Sequence, residues 1–298
     1  MAISTAGLVV GTSHWVSSDG YRLHVWEKRR ETARAKGPAP TRVTLLVHGG
    51  TYCGPTDYDV QAPGKDYSLM DYLAVRGHDV FTFDIRGYGR SEKPEDGYSV
   101  TTEVAVRDTA AVVEAICKMR GVTSLDLFGW SWGTAVSGIY TSRNPARVRR
   151  LLMYAGATQP SPAPPAAPGG LDDGQPWFVT TRESITARVD QAFAIPEALE
   201  AFIQAALRWD AKSPNGVRRR LPGGGPRWRM APEEITVPTL MVYGERDSIY
   251  RPKEAADFFA RLKTPDKTLI VIPNADHFLI IEKPYKRLFT ATEQWFGD

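Results

Sequence analysis

The sequence is poor in cysteine, in net charge and in long apolar runs, and each shortage excludes a class of protein. Its two cysteines, Cys53 and Cys117, lie far apart and lack the spacing of a metal site. The net charge of +3 is too small to indicate a nucleic-acid or membrane-surface partner. No apolar run approaches the roughly 18 residues that span a bilayer. We therefore expect no metal site, no nucleic-acid partner and no membrane partner.

The beginning of the chain also lacks the basic stretch and apolar stretch of a secretory signal. With so few cysteines, a reducing, cytoplasmic setting is the simplest interpretation, although a disulfide between Cys53 and Cys117 stays open. What the chain does contain is an ordinary globular composition, 42% hydrophobic and 24% charged. Its length suits one large domain with an inserted subdomain, or two small domains.

Apolar runs that predict strands alternate along the chain with segments of helical periodicity. An antiparallel pair within 13–27 is followed by predicted strands at 43–47, 79–84, 125–128, 151–154, 239–243 and 268–272. Helices are predicted near 67–75, 102–119, 132–143, 253–262 and 285–296. This alternation favours an α/β fold, in which a mostly parallel sheet carries helices on both faces.

The alternation is interrupted between residues 158 and 235. Residues 158–175 are rich in Pro, Gly and Ala, which is typical of a linker, and helical patches follow at 185–193 and 196–209. We interpret 158–235 as a mainly helical cap inserted into a core domain that is formed by 1–157 and 236–298.

The strongest local signal is the G-x-S-x-G pentapeptide at 129–133, which follows a short predicted strand and precedes a helix. The chain must turn sharply there, so Ser131 is expected to have a strained backbone, with its hydroxyl exposed above the sheet. Gly129 and Gly133 leave room for this crowded turn. The context predicts that Ser131 is a nucleophile.

A serine nucleophile requires a base within hydrogen-bond reach. His277 follows the last predicted strand in a short loop, and a parallel sheet presents functional side chains at the carboxyl ends of its strands. We therefore predict His277 as the base. His48 is interpreted as a support for the glycine turn beside it, and the remaining histidines as surface or packing residues: His14, His24 and His78.

The base in turn requires a carboxylate, expected after a strand that lies between the serine and the histidine in the chain. Asp247 follows 239–243 and is our choice, with Glu245 as the alternative. An ion pair with Arg246 or a helix cap would be another explanation for Asp247. Asp276 is adjacent to His277, and adjacent loop residues rarely reach the geometry that an orienting carboxylate requires.

Negative charge that develops on a substrate carbonyl oxygen requires fixed hydrogen-bond donors. The backbone N–H of Trp132 is one candidate, because it begins the helix after Ser131, where the helix dipole also helps. The second candidate is the N–H of Gly50, with Thr51 as an alternative, since glycine lets the backbone approach a substrate closely.

Together these segments resemble the α/β-hydrolase superfamily over nearly the whole chain. The resemblance rests on His48-Gly49-Gly50, residues 84–91, the pentapeptide at 129–133, residues 144–148, Gly244-Glu245-Arg246-Asp247 and Asp276-His277-Phe278. They occur in the order of that superfamily, with the serine first, the acid second and the histidine last.

The resemblance implies a mostly parallel eight-stranded sheet, no metal or cofactor, and a cap inserted after the sixth strand. It also implies that Asp84, Arg86 and the neighbouring glycines are chiefly structural. Ser131 counts against the halide- and epoxide-processing branches, which use a carboxylate nucleophile. Residues 48–50 and 131–133 are also similar to those of proline iminopeptidases, but Thr51-Tyr52-Cys53 replaces the Pro-Gly that follows the glycine pair there.

The substrate pocket is expected to be lined by residues near the nucleophile and by aromatic residues of the cap. The candidates are Thr51, Tyr52, Trp130, Trp177, Phe178, Trp209 and Phe278. The segment 211–230 contains six basic and no acidic residues. Such a run is usually a solvated face; the sharper hypothesis is that one of its arginines binds a carboxylate or phosphate of the substrate.

The sequence predicts a serine hydrolase that cleaves a carboxylic ester or related acyl bond of a small-molecule substrate of small-to-medium size, with anionic and aromatic substrates among the candidates. The alternatives are a thioesterase or lactonase, a proline-iminopeptidase-like peptidase, an acyltransferase, and a non-catalytic ligand-binding protein on this fold. A peptidase that binds an amino terminus would need acidic residues in the cap, for which the candidates are Glu183, Asp190, Glu197 and Glu200. The sequence gives no prediction of the oligomeric state.

Overall fold

The predicted strands form one eight-stranded sheet. A computed structural model describes residues 9–31, 42–158, 174–209, 211–218 and 228–297. The strands within these ranges are β1 Val9–Ser18, β2 Tyr21–Arg30, β3 Val43–Val47, β4 Asp79–Phe83, β5 Leu125–Trp130, β6 Val148–Tyr154, β7 Trp177–Val179, β8 Lys212–Pro214, β9 Thr239–Gly244 and β10 Lys267–Ile272. The large sheet has the order β1-β2-β4-β3-β5-β6-β9-β10, and β7 and β8 form a separate pair.

Neighbouring strands are parallel along the run β4, β3, β5, β6, β9 and β10. Strand β2 is antiparallel to both of its neighbours, β1 and β4. The turn between β1 and β2 falls at Asp19 and Gly20, both with positive φ, as a tight two-residue turn between antiparallel strands requires. The prediction of a mostly parallel eight-stranded sheet is confirmed.

Helices cover both faces of the sheet, which also confirms the prediction. They are α1 Gly54–Tyr58, α2 Leu69–Ala74, α3 Thr102–Arg120, α4 Trp132–Arg143, α5 Arg182–Thr186, α6 Pro196–Trp209, α7 Pro252–Arg261 and α8 Tyr285–Gly297. Buried residues of α3, α4 and α7 belong to one apolar core, and those of α2, α6 and α8 belong to another. Side chains of β5 contribute to both cores, because successive residues of a strand point to opposite faces of the sheet. Leu125 and Leu127 belong to the first core, and Phe128 and Trp130 belong to the second.

The segment between β6 and β9 contributes no strand to the large sheet within its described part. It contains α5, α6 and the β7–β8 pair, and the bridge between Ala194 and Glu282 joins it to the loop before α8. The helix predicted at 196–209 is confirmed, whereas 187–193 is not helical and the β7–β8 pair was not predicted. Most of the predicted linker, 159–173, lies outside the described residues, and the boundaries of a cap at 158–235 stay a prediction.

Three further observations concern the classes that the composition excluded. Cys53 and Cys117 are both buried and do not form a disulfide with each other, so the open question of a disulfide between them is answered. None of the helices in the described ranges is long and apolar enough to cross a bilayer. Across the same ranges, no group of three or more His, Cys, Asp or Glu side chains is arranged to hold a metal ion.

Candidate active site

The site lies at the carboxyl edge of the parallel strands, where four loops meet. Gly50 follows β3, Ser131 follows β5, Asp247 follows β9 and His277 follows β10. Because β5 lies between β3 and β6, and β6 pairs with β9, residues from distant parts of the chain share this edge. The fold therefore places the three residues that the sequence predicts as a triad at one edge of the sheet.

Ser131 occupies a sharp turn between β5 and α4. Its backbone has φ +57° and ψ −122°, a conformation that costs a non-glycine residue on the order of 1–3 kcal/mol. The turn is held by the Ser131 N–H, which donates to the carbonyl of Tyr154 at 2.9 Å, and by the Ser131 carbonyl, which accepts from Ala157 N–H at 3.1 Å. Ser131 alone of its pentapeptide leaves a partly exposed side chain at the edge.

The glycines of the pentapeptide are required by the crowding of this turn. A Cβ at Gly129 would lie 2.4 Å from the carbonyl oxygen of Gly133, and one at Gly133 would lie 2.3 Å from that of Val47. Both contacts involve backbone, which cannot move aside cheaply. The sequence-based reason for glycine on either side of Ser131 therefore agrees with the geometry.

His277 and Asp247 form a buried pair. The Nδ1 atom of His277 lies 3.2 Å and 3.1 Å from the two carboxylate oxygens of Asp247. Both residues are less than 5% exposed. The Oδ1 atom of Asp247 also accepts from the backbone N–H groups of Ile249 and Tyr250, at 2.9 and 2.8 Å. These contacts orient the carboxylate, which in turn orients the imidazole.

Asp276 and Glu245 have other contacts. Asp276 Oδ1 accepts from the Ser248 N–H at 2.7 Å and from the His277 N–H at 2.7 Å, so this carboxylate ties together the loops after β9 and β10. Glu245 is exposed, and its carboxylate has a long contact of 3.5 Å from the Asn274 N–H. Of the carboxylates weighed in the sequence, Asp247 is the one that contacts the His277 ring.

Ser131 and His277 face the same edge without a hydrogen bond between them in the described part of the chain. The rings of Trp130 and Phe278 pack around the imidazole, with centroid distances of 5.9 and 5.6 Å. Nucleophile–base contacts are often loose in unliganded hydrolases and tighten when the substrate is bound. The role of His277 as the base stays a prediction.

Two backbone donors beside Ser131 have no acceptor. Neither the Gly50 N–H nor the Trp132 N–H donates to another residue in the described ranges. A Cβ placed on Gly50 would lie 3.5 Å from the Cβ of Trp132, so the two residues are in contact. An oxyanion could accept from both groups, which is the arrangement that acyl transfer requires.

His48 supports the Gly50 loop. Its Nε2 accepts from the Ile85 N–H at 3.1 Å, and its Nδ1 lies 2.7 Å from the Gly49 carbonyl. Burial lowers the pKa of His48 to about 4, so the ring is neutral near pH 7 and Nδ1 carries the proton that it donates. Beneath the loop, the Gly49 N–H donates to Asp57 at 2.8 Å, and burial holds the pKa of Asp57 well above its ordinary value.

Three of the predicted pocket residues form an aromatic cluster at the site. Phe278 lies edge-on to Trp130 at 5.5 Å and to Tyr52 at 6.5 Å. Phe202 of α6, which the sequence analysis did not single out, joins the cluster at 5.0 Å from Tyr52 and 6.0 Å from Phe278. Its only sequence signal is the apolar face of α6.

The other pocket candidates are dispersed. Phe178 lies near Thr51, since arginines that contact Thr51 also pack on its ring. Trp177 packs against Lys212, and Trp209 packs against the rings of His24 and Trp26 in the amino-terminal hairpin. The structure therefore does not bring Trp177 or Trp209 to the cluster around Ser131.

Two arginines from the segment between β6 and β9 contact Thr51. Arg218 donates to Thr51 Oγ1 at 2.8 Å and also to the carbonyl oxygen of Gly50. Arg188 donates to the same Oγ1 at 3.2 Å. Arg218 belongs to the basic run at 211–230, for which one sequence-based hypothesis is that an arginine binds the substrate. No signal in the sequence indicated Arg188. Arg219, Arg220 and Arg227 lie outside the described residues.

Another serine, histidine and aspartate are joined by hydrogen bonds elsewhere in the fold. Ser13 Oγ lies 2.9 Å from His24 Nε2, and His24 Nδ1 lies 3.0 Å from Asp84. Ser13, however, lies within β1, with neither the strained turn nor the paired free N–H groups found at Ser131. Asp84 also accepts from the N–H groups of Gly54 and Arg90, which fits the structural role that the sequence analysis gave it.

Comparisons with known proteins agree with this fold. The family model described as Serine aminopeptidase, S33, matches residues 64–284. An AB hydrolase superfamily protein, YisY, of Bacillus subtilis is 27% identical over 73% of this chain and 81% of its own. The monoacylglycerol lipase of Mycolicibacterium smegmatis is 24% identical over 86% of this chain and 88% of its own. Proline iminopeptidases match less than half of this chain.

Solved structures extend the likeness over nearly the full length. A meta-cleavage product hydrolase from Pseudomonas fluorescens superposes with a TM-score of 0.70, covering 95% of this chain and 97% of its own at 13% sequence identity. At that identity the likeness concerns the fold, and the chemistry must be argued from the residues at the site.

Proposed function

The chain belongs to the serine aminopeptidase S33 family of α/β-hydrolases, and from this membership we propose that it is a serine hydrolase that cleaves carboxylic ester or related acyl bonds. The observation that carries the proposal is the strained Ser131 on the same sheet edge as the buried His277–Asp247 pair. A strained turn of this kind is not required for strand pairing or core packing. It is required to expose a nucleophile above the sheet.

In the proposed reaction, His277 Nε2 removes the proton of the Ser131 hydroxyl while Oγ attacks the substrate carbonyl carbon. The carbonyl oxygen becomes an oxyanion, which accepts hydrogen bonds from the Gly50 and Trp132 N–H groups. Protonated His277 then gives its proton to the leaving alcohol, and an acyl-enzyme remains on Ser131. A water molecule, deprotonated by His277, then attacks the carbonyl carbon of the acyl-enzyme. His277 returns the proton to Ser131 Oγ, and the acid is released. Asp247 holds Nδ1–H, which leaves Nε2 free to act as the base.

We also propose that residues 158–235 act as a cap over this site. Phe202 of α6 packs on Tyr52 and Phe278, and Arg188 and Arg218 contact Thr51. A segment in contact with the loops on both sides of the nucleophile is placed to enclose the acyl group and to exclude water.

The charges near the site count against a peptidase that binds an amino terminus. Arg188 and Arg218 lie at the Gly50 loop, where they would repel a protonated amine. The acidic residues considered for that role are all exposed, and two of them are engaged elsewhere: Glu200 pairs with Arg182, and Glu197 contacts Lys65 and Tyr67. Thioester and lactone substrates, and transfer to an alcohol, use the same steps and remain for experiment to separate.

The proposal is tested by labelling with a fluorophosphonate probe, followed by peptide mapping. We expect the probe on Ser131 and none on Ser13, together with turnover in a panel of p-nitrophenyl esters, a thioester, a lactone and an aminoacyl anilide. Product analysis with competing alcohols detects acyl transfer. A purified, folded protein that neither reacts with the probe nor turns over any substrate would instead be a binding protein on this fold.

A further inference from the structure

Arg188 is a largely buried cation without an anionic partner. It follows α5, and its Nη1 donates to Thr51 Oγ1 at 3.2 Å. Its Nη2 is fully buried and has no hydrogen-bond partner. No described carboxylate lies within ion-pair distance of this guanidinium, whereas Arg86, Arg120 and Arg182 each have one. Arg188 therefore brings at least one unused donor to the Gly50 loop.

Holding this charge in place costs free energy. Burial lowers the pKa of Arg188, with only the nearby Tyr52 hydroxyl acting in the opposite direction. An arginine does not escape the cost by deprotonation, because its ordinary pKa is too high. Buried charges in proteins are paired or bind ligands, so an unpaired guanidinium beside a candidate active site is placed to bind an anionic group of a ligand.

An aromatic ring and a second arginine lie next to the Arg188 guanidinium. The guanidinium packs on the Phe178 ring at 4.9 Å, and Arg218 packs near the same ring at 5.7 Å. Arg218 uses its donors on the protein, at Gly50, Thr51 and Asn215, and so fixes the loop. Two cations that share one threonine hydroxyl repel each other, and an anion between them would remove this repulsion.

The position of Arg188 sets how far the anion is from the reacting carbonyl. Thr51 is the neighbour of Gly50, whose N–H is the proposed oxyanion donor, and successive Cα atoms are about 3.8 Å apart. The Arg188 guanidinium thus lies within on the order of 10 Å of the reacting carbonyl. That span corresponds to a carboxylate a few bonds from the scissile ester, in a planar geometry that a guanidinium binds well.

We propose that Arg188 binds a substrate carboxylate, so that the physiological substrate is a carboxylate-bearing ester, such as the half-ester of a short dicarboxylic acid. This inference rests on the proposed function and specifies its substrate class. It makes Arg188 a specificity-determining residue, while Arg218 is a positioning residue for the loop.

Matched pairs of esters test the proposal. On the acyl side, mono-p-nitrophenyl glutarate is compared with p-nitrophenyl valerate; on the alcohol side, the butyrate ester of hydroxybenzoate is compared with that of hydroxybenzamide. We expect the wild type to prefer the anionic member of one pair, through a lower KM. Arg188→Gln should reduce that preference about tenfold or more, and Arg188→Lys should restore part of it.

The control is Arg182→Gln, which removes an equal charge from the exposed surface of α5 and should leave the preference intact. Equal use of both members of both pairs by the wild type, or an unchanged preference in a folded Arg188→Gln protein, would overturn the inference. Either result would leave the proposed function standing, since the neutral esters would still be cleaved at Ser131.

A measurement on the wild type covers the case in which the Arg188 variants do not fold. Free glutarate and its monoamide, glutaramate, which keeps one carboxylate, should each competitively inhibit hydrolysis of p-nitrophenyl valerate, whereas the uncharged diamide, glutaramide, should inhibit little. Inhibition that is absent for both carboxylates, or equal for acetate and glutarate, counts against a carboxylate site. Absence of hydrolysis and of probe labelling in the wild type would instead refute the proposed function.

Discussion

Ser131 has a backbone conformation that an ordinary serine avoids, and the chain maintains it through surrounding contacts. The turn is held by hydrogen bonds to Tyr154 and Ala157 and by the absence of side chains at Gly129 and Gly133. None of these contacts requires the serine hydroxyl. The hydroxyl can therefore be removed without loss of the fold, which separates a chemical role from a structural one.

Ser131→Ala should lower kcat by on the order of 10³-fold or more, because the nucleophile is lost while binding contacts remain. The thermal unfolding midpoint should stay close to that of the wild type. Steady-state kinetics on the best ester of the panel measures the first quantity, and calorimetry measures the second. Near-normal turnover in the purified variant would disprove the assignment of Ser131.

The contacts of Asp247 make its amide variant informative. In Asp247→Asn, the N–H groups of Ile249 and Tyr250 would hold the amide oxygen, so the NH₂ group would face His277 Nδ1. The imidazole would then carry its proton on Nε2 and could not accept one from Ser131. We expect kcat to fall by on the order of 10³- to 10⁴-fold. Glu245→Gln, at an exposed carboxylate two residues away, is the matched control and should change little.

At the scale of elements, the loops after β9 and β10 behave as one unit. Asp276 accepts from Ser248 of the first loop, while its own N–H donates to Glu282 at 2.8 Å. Glu282 is fully buried, and burial raises its pKa from the ordinary 4.5 to about 8. Between these two values the folded protein keeps a proton that the unfolded chain releases. The free energy of unfolding should therefore fall as pH rises through this range.

Glu282→Gln should remove this part of the pH dependence, since glutamine resembles the protonated acid. We expect the difference in unfolding free energy, wild type minus variant, to decrease by about 1 kcal/mol per pH unit between roughly pH 5 and 8. Urea unfolding at several pH values provides the measurement. Parallel pH profiles for the two proteins would show that Glu282 ionises normally in the folded state.

At the scale of the whole molecule, stability comes from two apolar cores on either side of the sheet and from no covalent cross-link. Cys53 and Cys117 are buried and form no disulfide with each other. We expect the thermal unfolding midpoint and the esterase activity to be the same with and without a thiol reductant. A midpoint that falls on reduction would indicate a disulfide that the folded monomer does not contain.

The amino-acid sequence by itself was sufficient to predict the strand–helix alternation and the mostly parallel sheet. Both are local or cumulative signals, because apolar runs of strand length and helical periodicity depend on neighbouring residues. Ser131 was identifiable for the same reason, since its glycines and its position between a strand and a helix are adjacent in the chain. Order along the chain indicated the loop after 239–243, which contains both Asp247 and the alternative Glu245, and the contact with His277 agrees with the choice of Asp247.

Other features were decided only by the tertiary structure, because they depend on contacts between residues far apart in the chain. Thr51 meets Arg188 across 137 positions, and no periodicity or motif marks that pair. Trp209 packs on the amino-terminal hairpin, and Phe202, two turns earlier in the same helix, reaches the aromatic cluster, because the two residues lie at different positions along the axis of α6. The sequence was therefore sufficient to predict Ser131 as the nucleophile, whereas only the packing of the inserted segment places Arg188 beside the Gly50 loop.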